Sequence, residues 1–277
     1  MKIGITGLPQ SGKTTLFCAA SGASSASSGA GGAVAPGKVA RAVVHVPDER
    51  LQVLAELAES GRIVNAEVEF LDAGGFTGQN KDEPVELKAS AELKQMEALL
   101  LVVDGFSGSR DPRSDIQIAK DEMILNDLAQ IEGKIPKLEK TIMSGGAGER
   151  AAELEALKRC QAWLEDERPL VELGLSENEM KAIRGYTFLS LKPILIVVNI
   201  DESRLAELEQ IEASFADLNT AGRCEMAVIC GKVEMELSEL EPAERKEFID
   251  DLGIAQPAVD VVIQRAYSLL GLIPFFT

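Results

Sequence analysis

The sequence predicts an α/β fold: a mostly parallel sheet with helices on both faces and a helical hairpin inserted between two of its strands. Three observations carry that prediction. Six short apolar runs rich in Val, Ile and Leu recur along the chain, as strands covered on both faces do, and they alternate with helical patterns. The first run, KIGIT, passes through a glycine-rich turn into TTLFCAA, which makes a strand, loop and helix in succession. Between the fourth and fifth runs the apolar period changes to that of a long helix.

In chain order the expected strands are Lys2 to Thr6, Val39 to Val46, Ala66 to Leu71, Ala98 to Val103, Pro193 to Val198 and Met226 to Cys230. His45, the one histidine, falls in the second and is given a structural role. Ser21 to Ala35 is built of Ser, Gly and Ala and offers too little apolar surface to offset the entropy of ordering it. Ile124, Leu128, Ile131, Ile135, Leu138 and Ile142 are spaced 4, 3, 4, 3, 4, an apolar seam along one side of a helix. Pro136 lacks an amide donor and is expected to kink that helix or end it early. SGGAGE (Ser144 to Glu149) breaks the pattern, and Leu154, Leu157, Gln161 and Leu164 begin a second seam. An antiparallel hairpin whose seams pack on each other is the simplest arrangement. A further helix is expected from Ser176, with Glu179 placed to complete a capping box. The resulting division is 1–110 with 190–277 as the sheet domain and 111–189 as a helical insertion.

Composition narrows the function. The 277 residues are 45% hydrophobic, enough for a packed interior. A formal charge of −17 argues against broad, sequence-independent attraction to nucleic acid or an anionic membrane, which needs clustered Lys and Arg. Cys18, Cys160, Cys224 and Cys230 are scattered and form neither a zinc nor a dithiol pattern. The amino terminus MKIGITG has no leader pattern and no long apolar run occurs, so a cytoplasmic location is expected; a monomer is expected as well.

Gly7-Leu8-Pro9-Gln10-Ser11-Gly12-Lys13-Thr14 fits G-x-x-x-x-G-K-[ST] at every fixed position, between an expected strand and helix. The glycines let backbone amides curl around a phosphate, Lys13 adds positive charge, and the Thr14 hydroxyl can ligate Mg²⁺; Pro9, Gln10, Ser11 and Thr15 complete the loop and helix start. The fold class sharpens to a P-loop NTPase. Asp72-Ala73-Gly74-Gly75 ends the strand VEFLD, where such a protein carries an aspartate on the metal side and a glycine amide, here Gly75, for a γ-phosphate. Asn199-Ile200-Asp201-Glu202 ends PILIVVN where a guanine reader would carry N-K-x-D. Ile200 and Glu202 replace its lysine and aspartate, which compromises the guanine clamp, while Asn199 can bond an adenine edge or brace the loop. Cys230-Gly231-Lys232 stands where a last base-contacting loop belongs, or is an ordinary strand-end turn.

Taken together, GLPQSGKTTLF, VPDERLQVLAEL, VEFLDAGGF, the helical insertion before KPILIVVNIDE, VICGKVEMELSEL and the ending AYSLLGLIPFFT resemble the YchF or Obg-like ATPases, in that family's order and over nearly the whole chain. The resemblance implies a GTPase-like domain with a helical insertion, ATP preferred to GTP through an N-x-x-E element, ribosome or translation-factor partners, and a hydrophobic residue, matched by Phe76, directly after D-x-x-G. Two stretches depart from the family. The threonine-bearing first switch is replaced by SSASSGAGGAVAPGKVARAVV, and the glycine-rich second switch by TGQNKDEPVELKAS. The family also continues beyond the equivalent of Thr277 into a small β-rich TGS domain. The expected function is binding of ATP or GTP with Mg²⁺ and slow hydrolysis at most. The alternative is a scaffold indifferent to nucleotide, and no catalytic residue beyond the charge of Lys13 is identified.

Overall fold

The structure, a computed structural model, describes residues 1–22, 40–58, 63–72, 92–144, 149–220 and 222–271. Six strands form one sheet: β1 (Lys2–Thr6), β2 (Ala40–His45), β3 (Glu67–Asp72), β4 (Ala98–Gly105), β5 (Ile194–Ile200) and β6 (Cys224–Ile229), in the order β2-β3-β1-β4-β5-β6. All pairings are parallel except that of β2 with β3, whose antiparallel register runs from Ala40 opposite Asp72 to His45 opposite Glu67. β2 and β3 run in opposite directions, with α2 (Glu49–Leu57) lying between them in the chain. His45 is exposed on that edge, 3.9 Å from Glu67.

The apolar runs are continuous because both faces of the sheet are covered. Along β4, Ala98, Leu100 and Val102 enter one core with Ile3, Ile5 and Leu16, while Leu99, Leu101 and Val103 enter the other. The strand period of two therefore hides inside an unbroken hydrophobic string. Helices α1 (Lys13–Ser21) and α9 (Ala258–Leu269) cover the first face. The second is covered by the start of α3 (Pro112–Met143), by α6 (Leu208–Ser214) and by part of α7 (Gly231–Glu239). α8 (Pro242–Leu252) adds partly buried residues at its rim.

α3 serves two cores. Asp111 caps it by accepting from the Arg113 and Ser114 amides, Ile116, Ala119 and Met123 pack on the sheet, and Ile124, Ile131, Ile135 and Leu138 pack in a separate cluster with α4 (Glu149–Glu165). Pro136 does not end it: the helix runs on to Met143 because Ile135 and Leu138, on either side, are buried against α4, which offsets the lost amide bond. The second seam also differs from expectation. Leu157, Cys160 and Leu164 are buried, while Gln161 lies to the side and bonds Glu165. Cys160 is small and apolar enough to be a core residue, and burial pushes its thiol up to about 11. Ser176 and Glu179 form the expected capping box on α5 (Glu177–Ile183). Where the chain leaves the helical cluster, Asp127 of α3, fully buried, accepts from the Leu189 amide (2.9 Å) and the Ser190 amide and hydroxyl (both 2.7 Å). That carboxylate ties the returning chain to the long helix just before β5. Among the described residues no helix is long and apolar enough to cross a membrane.

Candidate functional site

The loop between β1 and α1 depends on backbone shapes that few residues adopt. Gly7 has φ 145°, Gln10 66° and Gly12 95°. A Cβ on Gly7 would fall 2.1 Å from the Val102 carbonyl oxygen, and one on Gly12 would fall 2.2 Å from Asn199 Nδ2, so each glycine is required by space as well as by φ. Gln10 accepts the left-handed conformation without that excuse and exposes its side chain at the mouth of the loop.

α1 starts at Lys13 with no side-chain cap and no acidic residue in its first turn, and its first bond runs from the Leu16 amide to the Gly12 carbonyl (3.0 Å). The amides ahead of that bond have no helical acceptor and give the loop a positive mouth suited to an anion. Lys13 Nζ reaches back to the Leu8 carbonyl (2.6 Å); burial lowers its pKa, and the carboxylate of Asp72 opposes that shift. Thr14 Oγ1 donates to Asp72 Oδ2 at 3.3 Å, which joins the start of α1 to the end of β3. Hydroxyl and carboxylate oxygens side by side are the donors a hard cation such as Mg²⁺ accepts. Among the described residues no group of three or more His, Cys, Asp or Glu could hold a metal unaided. This pair would therefore supply part of a coordination shell, with phosphate oxygens and water supplying the rest.

These residues open onto a cavity of about 740 Å³, with Gln10, Lys13 and Thr14 at one end and Ile200, Glu202, Cys230 and Lys232 at the other. Asn199 stands between the two ends, 6% exposed, and both ends of its carboxamide are engaged: Nδ2 donates to the Ser11 carbonyl (3.2 Å), and Oδ1 accepts from the Gly231 amide (2.9 Å). Of its two expected roles, bracing the loop is the one its hydrogen bonds serve. Ile200 is buried, Cys230 precedes the first residue of α7, and a Cβ on Gly231 would approach Asn199 Oδ1 to 3.1 Å. Glu202 and Lys232 form an ion pair at 2.7 Å. Pro9 is exposed on the loop and Ser11 is buried beneath it, while Thr15 lines the cavity. Gly75 and Phe76 lie outside the described residues, as do both departing stretches apart from Ala40 to Val44 of the first.

Sequence reasoning missed Phe106. It follows β4, is 40% exposed on the cavity wall, and is held there by Asp104, which accepts from the Phe106 and Ser107 amides at 3.0 and 2.9 Å. Its signal was available: an aromatic residue directly after a buried strand, in a chain only 4% aromatic. Asp201 was passed over as well. It lines the cavity and accepts from the Ser203 amide, capping the 3-10 turn Glu202–Glu207.

No family model matches the chain. It is 33% identical over 285 residues to the "Ribosome-binding ATPase YchF" of Bacillus subtilis strain 168, covering 99% of this chain and 77% of the relative. The protein of the same name from Escherichia coli O157:H7 is 33% identical over 289 residues, and that from Haemophilus influenzae 32% over 286, with all of this chain and 77% of each relative covered. A solved structure of the YchF GTPase of Schizosaccharomyces pombe superposes with a TM-score of 0.77 at 23% identity over 98% of this chain and 75% of that one, a shared fold. Sequence similarity over the full length, with the strand order and loop geometry described above, places this chain in the YchF family.

Proposed function

We propose that the cavity binds a purine nucleoside triphosphate, ATP or GTP, with Mg²⁺, and that the bound state tunes contacts with the ribosome or a translation factor. The observation that carries this is the meeting of Thr14 and Asp72 at the open amino terminus of α1, beside the partly buried ammonium of Lys13. The first-turn amides and Lys13 would hold the β- and γ-phosphates, Thr14 and Asp72 would hold Mg²⁺, and the base would lie toward Phe106, Ile200, Glu202 and Lys232. The ion, when bound, supplies positive charge to the phosphate oxygens. Residues 1–110 with 190–277 form the nucleotide-binding unit in this reading, and 111–189 the insertion. The ribosomal partner is supported by the names of the relatives. Phosphoryl transfer relies on positioning, and the residues that orient water elsewhere in the family have no counterpart here, so turnover is slow.

Titration of the purified protein with Mg·ATP and Mg·GTP, followed by calorimetry and phosphate release, tests this. Binding with little release is expected, and Lys13→Ala abolishes the binding. The loss appears as a flat thermal shift where the wild type gains about 2.7 kcal/mol at a hundredfold excess over Kd. Equal affinity in wild type and Lys13→Ala would sink the assignment. A flat response in the wild type itself would favour a scaffold indifferent to nucleotide.

A further inference from the structure

Glu202 opens the turn after β5 and Lys232 lies in the first turn of α7. Thirty residues apart in the chain, they meet at the far end of the cavity from the phosphate loop, with Lys232 Nζ 2.7 Å from Glu202 Oε2. Their neighbour Asp201 has one oxygen engaged: its Oδ1 accepts from the Ser203 amide at 3.0 Å and the Ser203 hydroxyl at 2.7 Å. Asn199 is spent on the Ser11 carbonyl and the Gly231 amide. Glu202 thus lines the cavity as a carboxylate with one oxygen, Oε2, held by Lys232.

On the reading that this cavity takes a purine nucleotide, we infer that Lys232 is a specificity-determining residue: by holding one oxygen of Glu202 it removes the two-oxygen acceptor that guanine needs and favours adenine. Guanine presents its N1–H and 2-amino donors side by side, and a free carboxylate accepts one on each oxygen. Adenine presents an acceptor, N1, beside a single donor, the 6-amino group. An ammonium next to one available carboxylate oxygen displays the complement of that edge. The same pair can meet guanine at O6 and N1 only, and leaves the 2-amino group without a partner, which is costly once the base is enclosed. The side chains are 67% and 46% exposed, so the pair is held by water-screened attraction and can adjust to an entering base. Glu236, one turn further along α7, also lines the cavity and is the rival partner for the ammonium.

Calorimetric titration of the full chain with Mg·ATP and Mg·GTP tests this in Lys232→Met, Glu202→Gln, the double variant, Glu236→Gln and Lys13→Ala. Lys232→Met frees Glu202, and the ratio of Kd for GTP to Kd for ATP falls about tenfold, the size of one charged hydrogen bond. The double variant and Glu236→Gln show no such fall, because the first lacks the carboxylate and the second leaves the pair intact. Both side chains are exposed, so thermal melting of the variants stays at the wild-type value and excludes misfolding as the cause. A ratio unmoved in Lys232→Met, or moved equally in the double variant or in Glu236→Gln, overturns the inference while leaving nucleotide binding in place. Absence of binding in the wild type, or binding unaffected by Lys13→Ala, overturns the nucleotide reading and this inference with it.

Discussion

At one end of the cavity position is held by backbone and close packing, and at the other by an ion pair in water. Gly7 and Gly12 press within 2.1 and 2.2 Å, measured from an added Cβ, of the Val102 carbonyl oxygen and Asn199 Nδ2, so the loop has no room for a side chain at these two positions. Lys232 and Glu202 are 67% and 46% exposed and meet through flexible stems. The difference separates two tasks. Holding phosphate needs a rigid ring of amides, which many sequences with this glycine spacing can form. Discriminating bases needs a donor and acceptor order that a single exposed substitution can change.

Replacing Gly7 by alanine tests the rigid end and carries the largest effect. The new Cβ meets a backbone oxygen that cannot swing away, at φ 145°, and stability falls by roughly 3 kcal/mol in urea denaturation. A midpoint equal to that of the wild type would show that the loop is not tightly built. Asn199→Ala comes next, because it removes the one side chain that bonds both the Ser11 carbonyl and the Gly231 amide. A loss of about 2 kcal/mol is expected from two buried groups left without partners. Affinity should fall for ATP and GTP alike, since both ends loosen together. A fall confined to one nucleotide would instead mean that Asn199 reads the base.

The smallest effect asks what a partly exposed carboxylate is worth in this chain. The Ser176 hydroxyl, then the Ser176 amide and Arg159, hold Glu179 at about 2 against an ordinary value of 4.5. A depressed carboxylate stabilises the fold above its unfolded pKa and loses that contribution as pH falls through the folded one. Glu179→Gln therefore melts slightly below the wild type at pH 6, and the difference closes between about pH 4.5 and pH 2. A gap that persists at pH 2 would assign the effect to geometry, not charge.

Much of the fold was legible. All six strands were found from apolar runs, because covering both faces leaves a long uninterrupted signal in the sequence. The Ser176 cap was found because its chemistry is local and spans four residues. The early end expected at Pro136, and the inward place expected of Gln161, did not hold, for the opposite reason. Whether a proline ends a helix, and which of two adjacent residues faces a partner, depends on what α4 packs against α3. Asp127 carried no sequence signal either: an aspartate on a long helix is normally a solvated residue, and only the returning chain at Leu189 and Ser190 makes it a buried acceptor.

The sequence by itself determined the phosphate loop, since its glycines, Lys13 and Thr14 lie within eight consecutive residues whose spacing dictates their geometry. It also determined that Asp72 and Asn199 end strands of one sheet, because strand ends can be counted from apolar runs. Tertiary structure alone decided that Asn199 braces two loops, that Phe106 forms a wall, and that Lys232 holds Glu202 from thirty residues further along the chain. Those contacts join the ends of β4, β5 and β6 to the loop after β1. Parallel strands bring such ends together at one edge of the sheet however far apart they lie in the chain.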